Sequence, residues 1–241
     1  MILERIDYND ENVSTLCRLA HKKRYEFAKD YIGGIGKVLD AGCGEGFGSA
    51  ILARIAGKVI GIDSSTEAIE TATRKNKKVN LFYDTTDLEK LDIKQYGKFD
   101  LITFFEVFEH VQNPGKIVGK FREGLNEKGI LLVSTPNGRY TASKNPYHIR
   151  EYTRKEAEKI IINSGFNIEE VYGQYPLLAP LLVLRNRLKG IGREDIREEA
   201  RTSKSKIARN DWFADLFSEL YSNPIAVATS RDLVFVCSPK R

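Results

Sequence analysis

The chain has 241 residues, with 38 Lys and Arg against 33 Asp and Glu and a formal net charge of +5. Its 41% hydrophobic and 29% charged residues exclude a disordered chain, a collagen-like repeat and a small disulfide scaffold. Three cysteines (Cys17, Cys43, Cys237) lie far apart with no C-x-x-C pair, the usage expected of reduced thiols in a cytoplasmic protein. The first ten residues carry charges where a secretory leader needs an apolar stretch. The longest apolar run, Leu177 to Leu184, is far short of the ~20 residues that span a bilayer.

Residues 1–241 read as one domain opening with a helical cap over about 10–32. Short β-branched runs then alternate with helical stretches. Lys37–Ala41, Lys58–Ile62, Asn80–Tyr83, Phe99–Phe104 and Gly129–Ser134 read as buried strands. Ser64-x-x-Glu67 predicts a capping box at the helix after the second strand. This alternation predicts a Rossmann-like, doubly wound α/β sheet of about seven strands, mostly parallel, with helices on both faces. After the loop from Asn137 to Arg150, Thr153-x-x-Glu156 opens a helix that Gly165 closes. Phe166–Tyr172 reads as a sixth strand and Asp232–Cys237 as an antiparallel last one.

Roughly 58 residues separate those two strands, where a hairpin would suffice. The region 174–231 reads as an inserted helical lid or substrate-recognition element. It holds the apolar run, a basic segment from Arg185 to Arg209 with nine Lys or Arg against four Asp or Glu, and an aromatic helix with Trp212, Phe213, Phe217 and Tyr221. That surplus of five equals the whole chain's, so the rest is near neutral and a globally basic nucleic-acid binder is not indicated. The apolar-then-basic order from Leu177 to Arg193 allows peripheral contact with an anionic membrane, or a buried helix followed by a solvated one.

The most informative stretch is Val38-Leu39-Asp40-Ala41-Gly42-Cys43-Gly44-Glu45-Gly46-Phe47-Gly48. Glycines between a strand and a helix permit a tight turn and close approach of a ligand. The dinucleotide pattern G-x-G-x-x-G fails, because Phe47 takes its third glycine's place. Asp40, ahead of the glycines, suits a cationic amino group better than a pyrophosphate. Asp63 ends the second strand 21 residues after Gly42, where a carboxylate can accept both hydroxyls of a ribose. Asp84, after the third strand, is placed to accept from an adenine amino group. Together these ask for an adenosyl ligand with a positively charged tail and no phosphates, and S-adenosylmethionine (SAM) meets that description.

The chain resembles the class I SAM-dependent methyltransferases over about residues 20–173 and the final strand. Asp40-Ala41-Gly42-Cys43-Gly44-Glu45-Gly46 is similar to that family's first motif, Gly61-Ile62-Asp63-Ser64 to its second, and Tyr83-Asp84-Thr85-Thr86-Asp87-Leu88 to its adenine loop. Phe104-Phe105-Glu106-Val107-Phe108-Glu109-His110-Val111 resembles an EVLEHV signature, and Ser134-Thr135-Pro136-Asn137 an STPN element after strand five. The resemblance implies a SAM site built from Arg24, Asp40, Gly42, Cys43, Gly44, Asp63, Ser64, Asp84, Thr85 and Phe105. His21-x-x-Arg24-Tyr25 and Asn145-Pro146-Tyr147-His148-Ile149-Arg150-Glu151-Tyr152 resemble methyltransferases associated with surface-glycan synthesis. Arg24 would pair with the cofactor's carboxylate, or pack the N-terminal helix over the pocket.

Methyl transfer needs an in-line approach by a deprotonated or lone-pair nucleophile. Glu106, Glu109 and His110 stand at i, i+3 and i+4, one face of a helix if the segment is helical. His110 is the candidate base for a hydroxyl acceptor, or else orients its loop. The sequence demands no metal, although Glu106, Glu109 and His110 could hold Mg²⁺ or Mn²⁺. Tyr147, His148 and Arg150 are candidate substrate contacts, with Tyr152 a packing residue.

The expected activity is O-methylation of a small-molecule or glycan hydroxyl by a monomer or homodimer with no stable nucleic-acid partner. Two alternatives are an RNA methyltransferase gripping its substrate through 185–209 and a non-catalytic SAM-binding partner subunit. No Asn/Asp-Pro-Pro-Tyr follows strand four, which speaks against methylation of a base amino group.

Overall fold

The computed structural model describes residues 15–34, 36–141, 145–175, 219–222 and 224–240. The chain runs α1 (Thr15–Ala28), β1 (Lys37–Ala41), α2 (Phe47–Leu52), β2 (Lys58–Asp63), α3 (Thr66–Lys75) and β3 (Leu81–Thr85). It continues with β4 (Phe99–Phe105), α4 (Pro114–Gly124), β5 (Leu125–Pro136), α5 (Arg154–Asn163), β6 (Phe166–Gln174), α6 (Pro224–Thr229) and β7 (Asp232–Pro239). The strands form one sheet in the order β3-β2-β1-β4-β5-β7-β6. Those from β1 to β5 pair in parallel, and β7 lies antiparallel between β5 and β6. This is the doubly wound sheet that the residue pattern predicts, with the antiparallel last strand that the family resemblance implies.

The sheet is apolar on both faces because strand side chains alternate and both faces are covered. Leu39 and Ala41 face one core with Ile117 and Phe121 of α4 and Ile161 of α5. Val38 faces the other, with Tyr25 and Ala28 of α1 and Leu52 of α2. The Thr153–Glu156 capping box is formed at α5, and Gly165 follows it at φ +94°. At α3 the cap is one residue later than the sequence spacing predicts. Asp63 Oδ1 accepts from the Ser65 amide at 2.9 Å, which turns the chain so that Ser65, not Ser64, accepts from the Ala68 amide at 3.2 Å.

The residues following β4 also differ from expectation. Glu106 is a bend at φ +56° and 108–110 form a turn, so Glu106, Glu109 and His110 do not share a helix face. A side chain at positive φ costs ~1–2 kcal/mol and persists where the surroundings hold it. Glu106 is held from both sides: its amide donates to the Ser134 carbonyl at 3.1 Å, and its carboxylate takes the Ser134 hydroxyl at 2.8 Å.

The apolar run Leu177–Leu184, the basic segment 185–209 and the aromatic residues Trp212, Phe213 and Phe217 lie outside the described residues. Tyr221 is described, and exchanges backbone hydrogen bonds with Gly173 of β6 at 2.9 and 3.0 Å. The described ends of this region rest on the sheet, with Ala226 and Val227 of α6 buried. Among the described residues, no helix is long and apolar enough to cross a membrane.

Parallel neighbours reverse direction of succession between β1 and β4. At such a switch point the loops diverge, and a crevice opens beyond the carboxyl ends of the strands. The candidate residues after β1, β2, β4 and β5 gather there.

Candidate active site

The turn after β1 is built on the end of β2. Amides of Gly42 and Cys43 both donate to the Ile62 carbonyl, at 2.8 and 3.0 Å. Gly42 stands at φ +80°, and a Cβ there would sit 2.3 Å from Val107 Cγ2, so only glycine lets the β4 turn approach. Gly44 is at φ +53° with nothing within 4 Å of where a Cβ would be, leaving this stretch of backbone open to a ligand. The Gly44 amide donates to Asp63 Oδ2 at 3.0 Å. Asp63 thereby holds two backbone donors, Gly44 and Ser65, at the mouth of the crevice. Thr85 is in register with Asp63 across the β2–β3 pair and is exposed, as are Ser64 and Asp84. Asp84 lies within β3 and accepts from Tyr96 Oη at 2.5 Å. Cys43 is buried at the turn, its thiol pushed well up by burial and by the charges of Asp40 and Asp63.

Asp40 departs from the expected direct ligand contact. It is 0% exposed, and its carboxylate is taken by three hydroxyls: Ser49 at 2.6 Å, Thr103 at 2.8 Å and Tyr25 at 3.2 Å. Burial raises its pKa and the three donors oppose that rise. Asp40 is thus an internal clamp joining β1, α1, α2 and β4, which sets the glycine turn from below. Phe105 is likewise buried, edge-on to Tyr25 with ring centroids 5.2 Å apart. It positions the turn after β4 instead of lying open in the crevice.

Arg24 packs the N-terminal helix over the sheet, the second of its two sequence readings. Only 1% exposed, it donates from Nε to Gln174 Oε1 at 2.7 Å and from Nη2 to Asp232 Oδ2 at 2.9 Å. These bonds fasten α1 over the ends of β6 and β7. Its Nη1 lies 3.2 Å from Glu106 Oε1 but makes no hydrogen bond. A buried guanidinium nitrogen with an unused donor beside the crevice fits a carboxylate-bearing ligand. That donor, the open face at Gly44 and the carboxylate of Asp63 all fit SAM. Gln174 and Asp232 carry no motif in sequence; only the meeting of β6 and β7 reveals them.

Beyond β4 and β5 lies a second group. Glu109 is 1% exposed, and Oε2 accepts from Thr135 Oγ1 at 3.1 Å. Burial first, and then the charge of Glu106, push its carboxyl well above the usual carboxylate range. Its backbone carbonyl accepts from the amides of Ile149 and Arg150 at 2.9 and 3.2 Å, binding the 145–152 loop to the turn after β4. This brings His148 to His110, their rings edge-on with centroids 4.7 Å apart. His110 Nδ1 lies 2.9 Å from the Tyr147 carbonyl oxygen. Tyr147 is exposed beside them. Arg150 turns away, pairing with Glu156 at 2.6 Å and stacking on Tyr152, so it supports α5 instead of facing the histidines. Tyr152 is buried with its ring against Phe108, a packing residue. The expected metal set also changes: the ligand atoms that converge belong to Glu109, His110 and His148, because Glu106 is engaged by Arg24 and Ser134.

Comparison with known proteins agrees with this geometry. The family profile described as a methyltransferase domain matches residues 35–185. A probable S-adenosylmethionine-dependent methyltransferase of Mycolicibacterium smegmatis is 31% identical over 144 residues, covering 57% of this chain and 54% of that protein. A ubiquinone biosynthesis O-methyltransferase of Psychrobacter arcticus is 29% identical over 189 residues, covering 70% of this chain and 72% of that protein. The chain spans about half the length of the first curated relatives it matches. In fold it is similar to the crystal structure of an S-adenosylmethionine-dependent methyltransferase from Mesorhizobium loti, with TM-score 0.62 and 19% identity, covering 92% of this chain and 99% of that one.

Proposed function

Because the chain belongs to the class I SAM-dependent methyltransferases, we propose that it transfers a methyl group to a hydroxyl oxygen of a small molecule or glycan. The observation that carries this reading is the single orientation of His110. A carbonyl oxygen can only accept, so its 2.9 Å contact with Tyr147 makes Nδ1 the donor. In the neutral imidazole Nε2 then bears the lone pair. A base of this kind answers the need of an alcohol, which is a poor nucleophile until its proton is removed.

In this reading, Gly44 and Asp63 hold the nucleoside end of SAM and Arg24 Nη1 takes its carboxylate. SAM, as co-substrate, supplies a methyl carbon on a positively charged sulfur. The acceptor oxygen bonds to that carbon as the carbon–sulfur bond breaks, the sulfur keeps the electron pair, and the hydroxyl proton passes to His110 Nε2. Orientation accounts for much of the acceleration expected of such a displacement. The 174–231 region, with its basic and apolar segments, would supply acceptor contacts, and through them the choice of acceptor.

Calorimetric titration with S-adenosylhomocysteine tests the reading. The expected result is micromolar, single-site binding, no response to NAD, and loss of binding in Asp63→Ala, which removes the acceptor of the Gly44 and Ser65 amides. No binding by the folded wild type would overturn the proposal. If binding is found, transfer from labelled SAM to hydroxylated small molecules, glycans and RNA identifies the acceptor. RNA as the only acceptor would replace the hydroxyl small-molecule assignment.

A further inference from the structure

Two histidines and one carboxylate meet beyond the carboxyl ends of β4 and β5, and their protonation is decided by what stands behind them. His110 Nδ1 must donate to the Tyr147 carbonyl at 2.9 Å. His148 Nδ1 lies 2.7 Å from Glu151 Oε1, and a hydrogen bond to that carboxylate requires its proton on Nδ1. In both neutral rings the lone pair is therefore on Nε2. Both Nε2 atoms face the same oxygen, Glu109 Oε1, at 4.0 Å from His110 and 3.9 Å from His148. Three electron-rich atoms, all within 4.8 Å of one another, are thus aimed at a shared point, and Glu109 is almost wholly buried. Like-signed lone pairs converge in this way around a cation.

We infer that Glu109, His110 and His148 form a binding centre for a divalent first-row transition-metal ion. Each feature of the group matches that role. Two imidazole nitrogens and one carboxylate oxygen suit Mn²⁺, Fe²⁺, Co²⁺, Ni²⁺ or Zn²⁺, whereas Mg²⁺ and Ca²⁺ favour oxygen alone. A carbonyl and a carboxylate receiving the Nδ1 protons are the outer partners that orient metal-bound histidines. Thr135 holds the other carboxylate oxygen at 3.1 Å, so Oε1 is the one presented. The Glu109 and Glu151 carboxylates together balance the double charge of the ion. Ligand bonds of ~2.1 Å place neighbouring donors ~3.0–3.4 Å apart, so the set closes by an ångström or so on binding. Arg24 and Ser134 occupy Glu106, which leaves three protein ligands among the described residues.

A centre with three protein ligands binds further oxygens. Resting on the methyl-transfer reading above, the inference makes the acceptor hydroxyl one of them. The ion would lower the acceptor's pKa so that its hydroxyl proton is released to solvent before transfer, and His110, whose Nε2 would be a ligand, would then hold the ion and not take the proton.

The test separates metal binding from cofactor binding. Chelator-treated, dialysed protein is titrated with Co²⁺ while its visible absorption is followed, and S-adenosylhomocysteine affinity is measured on the same samples. The expected result is one saturable site with ligand-field bands. His148→Ala and His110→Ala should each weaken Co²⁺ binding by at least about tenfold, and Glu151→Gln, which alters only an outer partner, by ~10–100-fold. S-adenosylhomocysteine affinity should stay within about twofold in all three, which also shows that they fold. Excess Zn²⁺ should bleach the bands and excess Mg²⁺ should not. No saturable Co²⁺ binding in wild type that binds S-adenosylhomocysteine would overturn the metal centre and leave the methyltransferase reading standing. Binding that survives both histidine substitutions would equally overturn it. Co²⁺ binding with the expected variant pattern but without S-adenosylhomocysteine binding would support the centre and defeat its link to methyl transfer.

Discussion

Replacing Arg24 by methionine removes a guanidinium that joins three parts of the chain while keeping much of its apolar stem. The side chain is 1% exposed and donates to Gln174 at 2.7 Å and Asp232 at 2.9 Å, with Glu106 at 3.2 Å. Breaking a buried ion pair from one side costs ~3–5 kcal/mol, because the partner's charge stays buried. Here each abandoned carboxylate keeps one neighbour, Arg231 at 3.3 Å from Asp232 and Ser134 at 2.8 Å from Glu106, so the lower figure of ~3 kcal/mol applies. For a chain of this size each kcal/mol moves the midpoint by ~2–4 °C, which predicts a drop of roughly 6–12 °C in thermal melts followed by circular dichroism. The deficit should depend on pH. Burial already raises the Asp232 pKa above 3.8, and losing the Arg24 charge raises it further. A group whose folded pKa lies above its unfolded value contributes stability that is lost as pH rises through the folded value. The deficit of Arg24→Met should accordingly be larger at about pH 8 than at about pH 5. Arg24→Lys, which keeps the charge and loses the fork, should fall between. A midpoint within about 2 °C of wild type, or a deficit equal at both pH values, would refute the reasoning.

Gly48→Ala places a Cβ 2.0 Å from Tyr25 Cζ and should cost ~1–3 kcal/mol of stability in denaturant titration; an unchanged midpoint would show that α1 does not press on α2 in solution. Thr103→Val removes the 2.8 Å donor to Asp40, and the loss of a hydrogen bond to a charged group predicts ~1.5–3 kcal/mol; a neutral outcome would mean that Asp40 is not clamped as described. His21 has its pKa lowered to about 3 by burial and by Arg24. The folded state therefore takes up less proton than the unfolded chain below the ordinary value of 6.5, so stability should fall as pH falls from there toward 3. His21 is partly exposed, which makes the slope shallower than a full proton's worth. His21→Leu should flatten it, and an unchanged slope would assign the acid loss to other groups.

The site was unevenly legible in the letters. Gly42, Gly44 and Asp63 announce themselves because a tight turn against a strand end leaves few residue choices, and those choices recur at a set spacing. Asp40 stands in the same motif, yet its task is different. Its hydroxyl donors come from α1, α2 and β4, three elements that no local window contains. Arg24 raised two readings in sequence, a ligand contact and a packing role, and the structure gives it the bonds of the second and a spare donor for the first. Arg150 reads in sequence as a ligand contact, and its pairing with Glu156 across the start of α5 is visible only in the fold. The spacing of Glu106, Glu109 and His110 suggests one helical face, but positive φ at Glu106 breaks that face and sends the two carboxylates to different partners. His148 enters the cluster only through backbone bonds from Ile149 and Arg150 to Glu109.

Alternation of short apolar runs with amphipathic stretches was enough to determine the α/β class and the places of the strands, whereas the antiparallel last strand is what the resemblance to class I methyltransferases implies. Class and strand places follow from periodicity and local punctuation, which depend on near neighbours along the chain. Tertiary structure alone decided which carboxylates are clamps and which face the crevice, and which histidines share an oxygen. Those outcomes depend on contacts between residues tens to hundreds of positions apart. Burial and hydrogen bonding set the charge state and direction of a side chain, and neither is a property of the residue's own segment.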